Sequence, residues 1–286
     1  MKPIVPAFLA AMFALAAPVL AQDNPVVVEL YTSQGCSSCP PADAILHELA
    51  GRDDVIALAL HVDYWDYIGW KDPFGDPAHA ARQRAYAAAG NRRSVYTPEM
   101  VVGGVTDIVG AKPMKLSKAI AEHASAPAQV AVNLVRSGDT LRIDATALDR
   151  IDGPLTVHML RYTPSRTTEI KRGENRGKTL ENANIVEGWT VLGTWDGVDP
   201  LSMSTSISGD KPAVIILQEA EVGPIVAAAR LRSAGFPRQE SGQTFANVLG
   251  SPITPRPHAI CGVPKTIVRV PAGSCRTSCR SAPASW

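Results

Sequence analysis

The sequence has almost no net charge and few cysteines, and both shortages restrict its function. Its formal charge is only +1 at pH 7. A protein that binds nucleic acid or an anionic surface through charge needs an excess of basic residues, so we expect no nucleic-acid partner. Five cysteines are an odd number, so they cannot all pair with one another within the chain.

A long apolar run lies at the N-terminus, in residues 4–20, directly after the positive charge of Lys2. Two prolines interrupt this run, and it is at the short limit for spanning a bilayer. We interpret residues 1–21 as a secretory signal peptide rather than a membrane anchor. No cysteine follows closely, which argues against a lipidated N-terminus. We expect a mature protein exported to a bacterial periplasm, without stable membrane insertion, where disulfides can form and persist.

Residues 26–49 contain the pair of cysteines that suggests a chemical activity. They begin with an apolar, β-branched run typical of a buried strand, and they end with helical apolar spacing. Between the two lie Cys36 and Cys39, separated by two serines. A helix N-terminus stabilises a thiolate through its free N–H groups and its dipole. We interpret the pair as a redox dithiol, with the sulfur of Cys36 exposed. The alternatives are half of a metal site or a structural disulfide.

Residues 54–61 predict a second buried strand, which completes a βαβ unit. The next nine residues, 62–70, include four aromatic and two acidic residues. Ligands of open α/β sheets bind beyond the carboxyl ends of the strands, where this segment begins. Tyr64 and Trp65 are therefore candidates for substrate contact. The alternative is a cover that packs its own aromatic rings.

Two polar residues flank the end of this second strand. His61 and Asp63 could tune the thiols or hold a metal ion. The simpler interpretation is that His61 ends a strand and is merely hydrogen-bonded there. Further along, the pattern predicts helices at residues 78–89 and 115–123, and strands at 99–102 and 105–109 joined by a tight Gly-Gly turn.

This order of elements is similar to the thioredoxin fold. The segments ELYTSQGCSSCPPAD, HVDYWDYIGW and YTPEMVVGG more closely resemble the domain of unknown function 1223 family, secreted bacterial proteins with a thioredoxin-like domain. The resemblance covers residues 22–127 and, less distinctly, the part that follows. It implies that Thr97 and Pro98 form a cis-proline loop beside the dithiol, whose backbone binds the substrate chain. Glu29 corresponds to a buried catalytic acid only if Gly35 is counted as an insertion; otherwise it is a surface Glu at a strand edge.

We therefore expect an exported thiol–disulfide oxidoreductase that needs no cofactor. Cys36 would attack a disulfide in a protein or small molecule, and Cys39 would resolve the mixed disulfide. Glu29 would carry the proton of the resolving step. The two serines bring no positive charge to the thiols, which favours a reductase or isomerase over a strong oxidant. An unidentified redox partner completes the cycle. The alternative is a copper-binding or copper-delivery protein that uses both cysteines and His61.

Residues 128–232 predict an all-β, sandwich-like domain, because short alternating strands follow one another between turn residues. The predicted strands are residues 129–136, 140–148, 155–162, 185–195, 201–207, 213–219 and 225–231. Among them lies a polar loop, residues 171–178. It is either a solvated hairpin or a loop that closes over the dithiol.

Residues 233–286 are rich in Pro, Gly, Ser and Arg and show little periodicity. We expect a poorly ordered tail. His258, Cys261, Cys275 and Cys279 include enough ligand types for zinc, but their spacing matches no common zinc finger. A local disulfide of Cys261 with one of the later cysteines is the preferred interpretation in an oxidising compartment.

Overall fold

The computed structural model describes residues 24–220 and 222–232, which all belong to one compact unit. The expected signal peptide, residues 1–21, lies outside the described residues. So does the expected tail, residues 233–286, with its candidate ligands and its three cysteines.

Eleven strands and three α-helices make up the described part. In chain order they are β1 Val26–Thr32, α1 Pro40–Ala50, β2 Val55–His61, α2 Pro77–Ala89, β3 Glu99–Val102, β4 Thr106–Val109, α3 Pro113–Ala124, β5 Val130–Ser137, β6 Thr140–Ala147, β7 Leu155–Glu169, β8 Thr179–Trp195, β9 Leu201–Ser206, β10 Ala213–Glu219 and β11 Ile225–Leu231. A short 3₁₀ turn, Asp66–Ile68, interrupts the loop after β2. Within the described residues, none of the helices has the length and apolar character needed to cross a bilayer.

Eight strands form one mixed sheet in the order β11-β10-β7-β8-β2-β1-β3-β4. β1 and β2 are parallel because α1 carries the chain back between them, whereas β3 runs antiparallel to β1 and pairs with β4 in a hairpin. At the turn of this hairpin Gly103 and Gly104 both have positive φ, at 60° and 76°. Glycine tolerates that conformation without steric cost.

The β7–β8 hairpin is longer than the sequence predicts. Its strands contain 15 and 17 residues and flank the polar loop 171–178. The added residues carry many exposed polar side chains, so they show no apolar pattern. β8 also pairs in parallel with β2, where Ala59 lies opposite Ile185. Strands from before and after residues 127–128, the domain boundary predicted from the sequence, therefore belong to one sheet.

The remaining strands form a second sheet, β5-β6-β9, which packs against one face of the first. Leu141 and Ile143 of β6 meet Ile215 and Leu217 of β10 in this core. The intervening residue Ile216 belongs to the core on the opposite face of the large sheet. β10 is thus buried on both faces, which explains its continuous apolar sequence.

Candidate functional site

The two cysteines lie in the turn between β1 and α1. Cys39 is the N-cap residue of α1, and the N–H of Asp43 donates to its carbonyl oxygen at 3.1 Å. Pro40 and Pro41 occupy the first helical positions, where a missing N–H costs no intrahelical hydrogen bond. Cys36 precedes this helix start by one turn, and its carbonyl oxygen accepts from the N–H of Cys39 at 3.3 Å.

The local hydrogen bonds and burial give the two thiols different pKa values. The pKa of Cys36 falls from 9.0 to about 7, chiefly because the Cys39 thiol donates a hydrogen bond to it. The side chain of Thr97 and the N–H groups of Ser38 and Cys39 add to this effect and together outweigh burial. Burial is the largest cause that raises the pKa of Cys39. Cys36 therefore has the more acidic thiol of the pair, and Cys39 keeps its proton.

Cys36 is nevertheless covered. The residue is only 2% exposed and Cys39 is 0% exposed, so the expectation of an exposed sulfur is wrong. The Sγ of Cys36 lies 3.7 Å from the carbonyl oxygen of Thr97. Next to it, a Cβ at Gly35 would meet the Cβ of Trp65 at 3.2 Å, so the aromatic segment packs closely on the turn. Reaction with a disulfide therefore requires this cover to move.

The aromatic segment, residues 62–70, is attached to the cysteine turn and to the loop before β3. The indole Nε1 of Trp65 donates to Oγ1 of Thr97 at 2.7 Å, and Tyr67 stacks on the Trp65 ring at 6.3 Å between centroids. Tyr64 donates to Oε1 of Gln83 at 3.0 Å. Burial is the main cause that raises the pKa of Tyr64, and the charges of both cysteines add to it, so Tyr64 also lies near the thiols. Substrate contact by Tyr64 and Trp65 stays a prediction.

The loop before β3 completes the surroundings of Cys36. The Thr97–Pro98 peptide bond is cis, and the carbonyl oxygen of Pro98 accepts from the N–H of Gly110 at 2.8 Å. Gln83 of α2 donates to the carbonyl oxygen of Tyr96 at 2.7 Å, which fixes the preceding residue. Thr97 is thus held from both sides, with its carbonyl oxygen directed at the Cys36 sulfur.

An acidic residue that the sequence analysis did not single out lies beside Cys39. Asp43 is buried on α1, and Thr32 donates to its Oδ1 at 2.8 Å. Burial is the largest influence and raises the pKa of Asp43 to about 6. The charge of Asp43 in turn helps to raise the pKa of Cys39. Its spacing of four residues from Cys39, which puts both side chains on one helix face, is the signal that could have identified it.

Glu29 is buried too, so the surface alternative is wrong, but it faces α2 rather than α1. Its Oε1 accepts from Nε of Arg82 at 2.8 Å, and its Oε2 accepts from the hydroxyl of Tyr86 at 2.6 Å. Successive side chains of a strand point to opposite faces. Glu29 therefore lies on the opposite face of β1 from Thr32, which contacts Asp43. Its assignment as the proton carrier stays a prediction, and the geometry favours Asp43.

His61 and Asp72 form a buried pair below the turn. The Nδ1 of His61 lies 2.8 Å from Oδ2 of Asp72, which also accepts from the N–H of Gln34 at 2.7 Å. Although burial raises the pKa of Asp72, its interaction with His61 and the N–H groups of Gln34 and Phe74 outweigh burial and lower the pKa overall. The carbonyl oxygen of Asp63 accepts from the N–H of Asp66 at 3.0 Å. A tuning role for Asp63 stays a prediction.

The polar loop between β7 and β8 contacts the cysteine turn. Asn175 is fully buried, and its Nδ2 donates to the carbonyl oxygens of Gln34 and Cys36, both at 2.9 Å. Glu174 accepts from the N–H of Ser37 at 3.2 Å. These contacts agree with the second of the two sequence interpretations, a loop that closes over the dithiol, although Glu174 itself remains exposed to solvent.

No metal centre is evident in the described part. Among residues 24–220 and 222–232, no group of three or more His, Cys, Asp and Glu side chains is arranged to hold a metal ion. His61, the expected third copper ligand, directs Nδ1 at Asp72. No contact in this region favours the copper alternative.

The family assignment is based on a match over most of the described chain. A family model described as a protein of unknown function, DUF1223, matches residues 27–218. The chain belongs to the DUF1223 family. The matched region begins in β1, contains the cysteine turn and the aromatic segment, and ends in β10. The DUF1223 assignment names no activity.

Two solved structures are similar to this chain. Protein AGR_C_4864 from Agrobacterium tumefaciens is 30% identical, with a TM-score of 0.66, and the match covers 76% of this chain and 98% of that one. HBP35 of Porphyromonas gingivalis is 16% identical, with a TM-score of 0.51 over 78% of this chain and 79% of that one. The second likeness concerns the fold alone. None of the curated proteins matches this DUF1223 chain.

Proposed function

We propose that this protein is an exported thiol–disulfide oxidoreductase with a thioredoxin-like N-terminal half. The strand order β2-β1-β3-β4, the cysteine turn before α1 and the Thr97–Pro98 loop beside Cys36 support that fold. The apolar segment of residues 4–20 supports export, and an oxidising periplasm would suit a reversible dithiol.

One observation carries the proposal. Two adjacent thiols have opposite pKa changes: that of Cys36 is lowered to about 7, and that of Cys39 is raised. A thiol with a pKa near ambient pH attacks disulfides best, since it combines thiolate content with nucleophilicity. A purely structural pair has no need for this difference.

The reaction begins with the thiolate of Cys36. It attacks one sulfur of a substrate disulfide, the substrate S–S bond breaks, and the other substrate sulfur leaves as a thiolate that takes up a proton. Asp43 then accepts the proton of Cys39. The Cys39 thiolate attacks the sulfur of Cys36, which releases the second substrate thiolate and leaves a Cys36–Cys39 disulfide. Two electrons have passed to the substrate, and a dithiol-bearing redox partner restores the reduced pair.

The direction of this exchange favours reduction or isomerisation. In strongly oxidising dithiol proteins the pKa of the attacking cysteine lies far below 7. Here the pKa of Cys36 is near 7, and the intervening Ser37 and Ser38 add no positive charge. We expect a potential closer to that of reducing members of the class.

Trapping provides the test. Mature protein with Cys39→Ser should accumulate covalent mixed disulfides with a disulfide-bearing protein such as oxidised insulin, because nothing resolves the first adduct. The matched double variant with Cys36→Ser as well should trap nothing. If the single variant forms no reductant-sensitive adduct at pH 7–8, the oxidoreductase proposal is wrong.

A further inference from the structure

The ends of β1 and β2 bring Thr32 and His61 together. These residues are register partners in the parallel pair, so their side chains point to the same face of the sheet. Thr32 donates to Asp43 at 2.8 Å, which fixes that face as the one covered by α1. His61 therefore lies on the Asp43 side of the sheet, one strand away from the threonine that binds Asp43.

The hydrogen bonds of His61 use only one ring nitrogen. The residue is 0% exposed, and its Nδ1 is bound to the carboxylate of Asp72. A carboxylate accepts, so in a neutral imidazole Nδ1 carries the hydrogen and Nε2 is left as an acceptor. Nε2 is buried without a hydrogen-bond partner. A buried polar atom of this kind is rare and requires a physical reason.

Titratable groups lie near His61 on three elements. Asp72 lies in the loop after β2, and Asp43 lies on α1, on the same side of the sheet as the ring. From α2, Nδ1 of His79 contacts the carbonyl oxygen of His61 at 2.9 Å. Asn182 of β8 has a second buried polar atom without a partner, Nδ2, while its Oδ1 accepts from Nε2 of Gln34 at 2.9 Å.

We propose that His61 is a proton-holding residue for the resolving step, with Nε2 taking from Asp43 the proton that Cys39 gives up. This inference depends on the proposed function. The proton moves from the Cys39 thiol to the Asp43 carboxylate and then to Nε2 of His61. Asp72 stabilises the resulting imidazolium, and Asp43 returns to its charged form. His61 touches neither sulfur, so it acts through Asp43.

A chromogenic disulfide separates the two steps. Reduced protein mixed with 5,5′-dithiobis(2-nitrobenzoic acid) releases one nitrothiobenzoate when Cys36 attacks, and a second one when Cys39 resolves the adduct. The variant His61→Asn keeps a donor for Asp72 but deletes Nε2. We expect an unchanged first phase and a second phase slowed roughly 100-fold, the range typical of general acid–base catalysis. The pH profile of the second phase should also change, because Asp43 alone then holds the proton.

Two further variants sharpen the test. Asp72→Asn should slow the second phase as well, because a neutral amide does not stabilise the imidazolium that forms on His61. This variant provides the test if His61→Asn does not fold. His158→Asn is the matched control, because His158 is also buried with an unpartnered Nε2 but bonds Trp189 on the β7–β8 hairpin. Wild-type second-phase rates and pH profiles in both site variants would show that His61 does not take the proton from Asp43. Absence of the first phase in the wild type would instead overturn the proposed function.

Discussion

The side-chain amide of Asn175 lies 2.9 Å from the carbonyl oxygen of Cys36, although the two residues are 139 positions apart in the chain. The same amide holds the carbonyl oxygen of Gln34, also at 2.9 Å, so it bridges the turn on both sides of Gly35. The β7–β8 loop therefore contributes directly to the shape of the dithiol site.

Replacing Asn175 by Asp should disturb this site without changing its volume. Asp offers acceptors in place of the amide donor, so two buried carbonyl oxygens lose their partner, at a cost of about 1–3 kcal/mol each. We expect a lower urea midpoint and a higher pKa of Cys36. Asn91→Asp, at an exposed position, is the control. Equal unfolding curves and alkylation profiles for Asn175→Asp and wild type would show that the Asn175 amide does not stabilise the cysteine turn.

The reactivity of Cys36 should depend on the thiol of Cys39. Alkylation by iodoacetamide is expected to rise through pH 7, following the thiolate of Cys36. In Cys39→Ala the largest stabilising hydrogen bond is lost, and the pKa of Cys36 should rise back towards 9.0, which lowers the rate at pH 7 by about tenfold. Cys39→Ser retains an O–H donor, so its alkylation rate should lie between those of wild type and Cys39→Ala. A rate that stays the same in the alanine variant would exclude this hydrogen bond as the cause.

Asp43 should make the stability of the reduced protein depend on pH. Its pKa rises from 3.8 to about 6 on folding, so the folded state binds this proton more tightly than the unfolded state. The stabilisation is complete below about pH 4 and is lost as the pH rises through 6, an effect of about 3 kcal/mol. Asp43→Asn cannot lose stability in this way, because the amide does not ionise. From pH 4 to pH 8 the free energy of unfolding of this variant, measured in urea, should rise by about 3 kcal/mol relative to that of wild type. A difference between the two proteins that does not change with pH would show that the pKa of Asp43 is not raised.

Trp65 should limit access to Cys36. In Trp65→Ala the indole bond to Thr97 and the packing on Gly35 disappear. We expect alkylation of Cys36 to become several-fold faster at pH 9, where the thiol is already ionised. Tyr67→Ala removes only the exposed outer ring of the stack and serves as the control. Equal rates in Trp65→Ala and wild type would show that another element covers the sulfur.

Glu29→Gln separates structural from catalytic acids. The substitution leaves Arg82 charged and buried without its anion, which typically costs 3–5 kcal/mol. We expect a marked loss of stability with the pH profile of mixed-disulfide resolution unchanged, since Asp43 carries the proton in the proposed mechanism. Glu169→Gln on the surface should leave stability unchanged within about 0.5 kcal/mol. A lost pH dependence in Glu29→Gln would restore Glu29 to the role that the sequence suggests.

The early part of the fold could be predicted from local pattern. Strand β1, the cysteine turn, α1 and β2 follow one another closely, and their apolar periods match the observed elements. The long arms of β7 and β8 could not be predicted in this way. Their outer residues are polar and exposed, and a strand stabilised by a partner far along the chain leaves no periodic signal of its own.

The sequence by itself determined that two cysteines precede a helix start and that an aromatic segment follows the next strand. Only the tertiary structure decided which groups surround the sulfurs. Asn175 reaches the turn from a distant hairpin, strand register places His61 beside the threonine that binds Asp43, and Glu29 points to the opposite face. Hydrogen bonding and burial depend on distances in space, and those distances are set by how the whole chain packs.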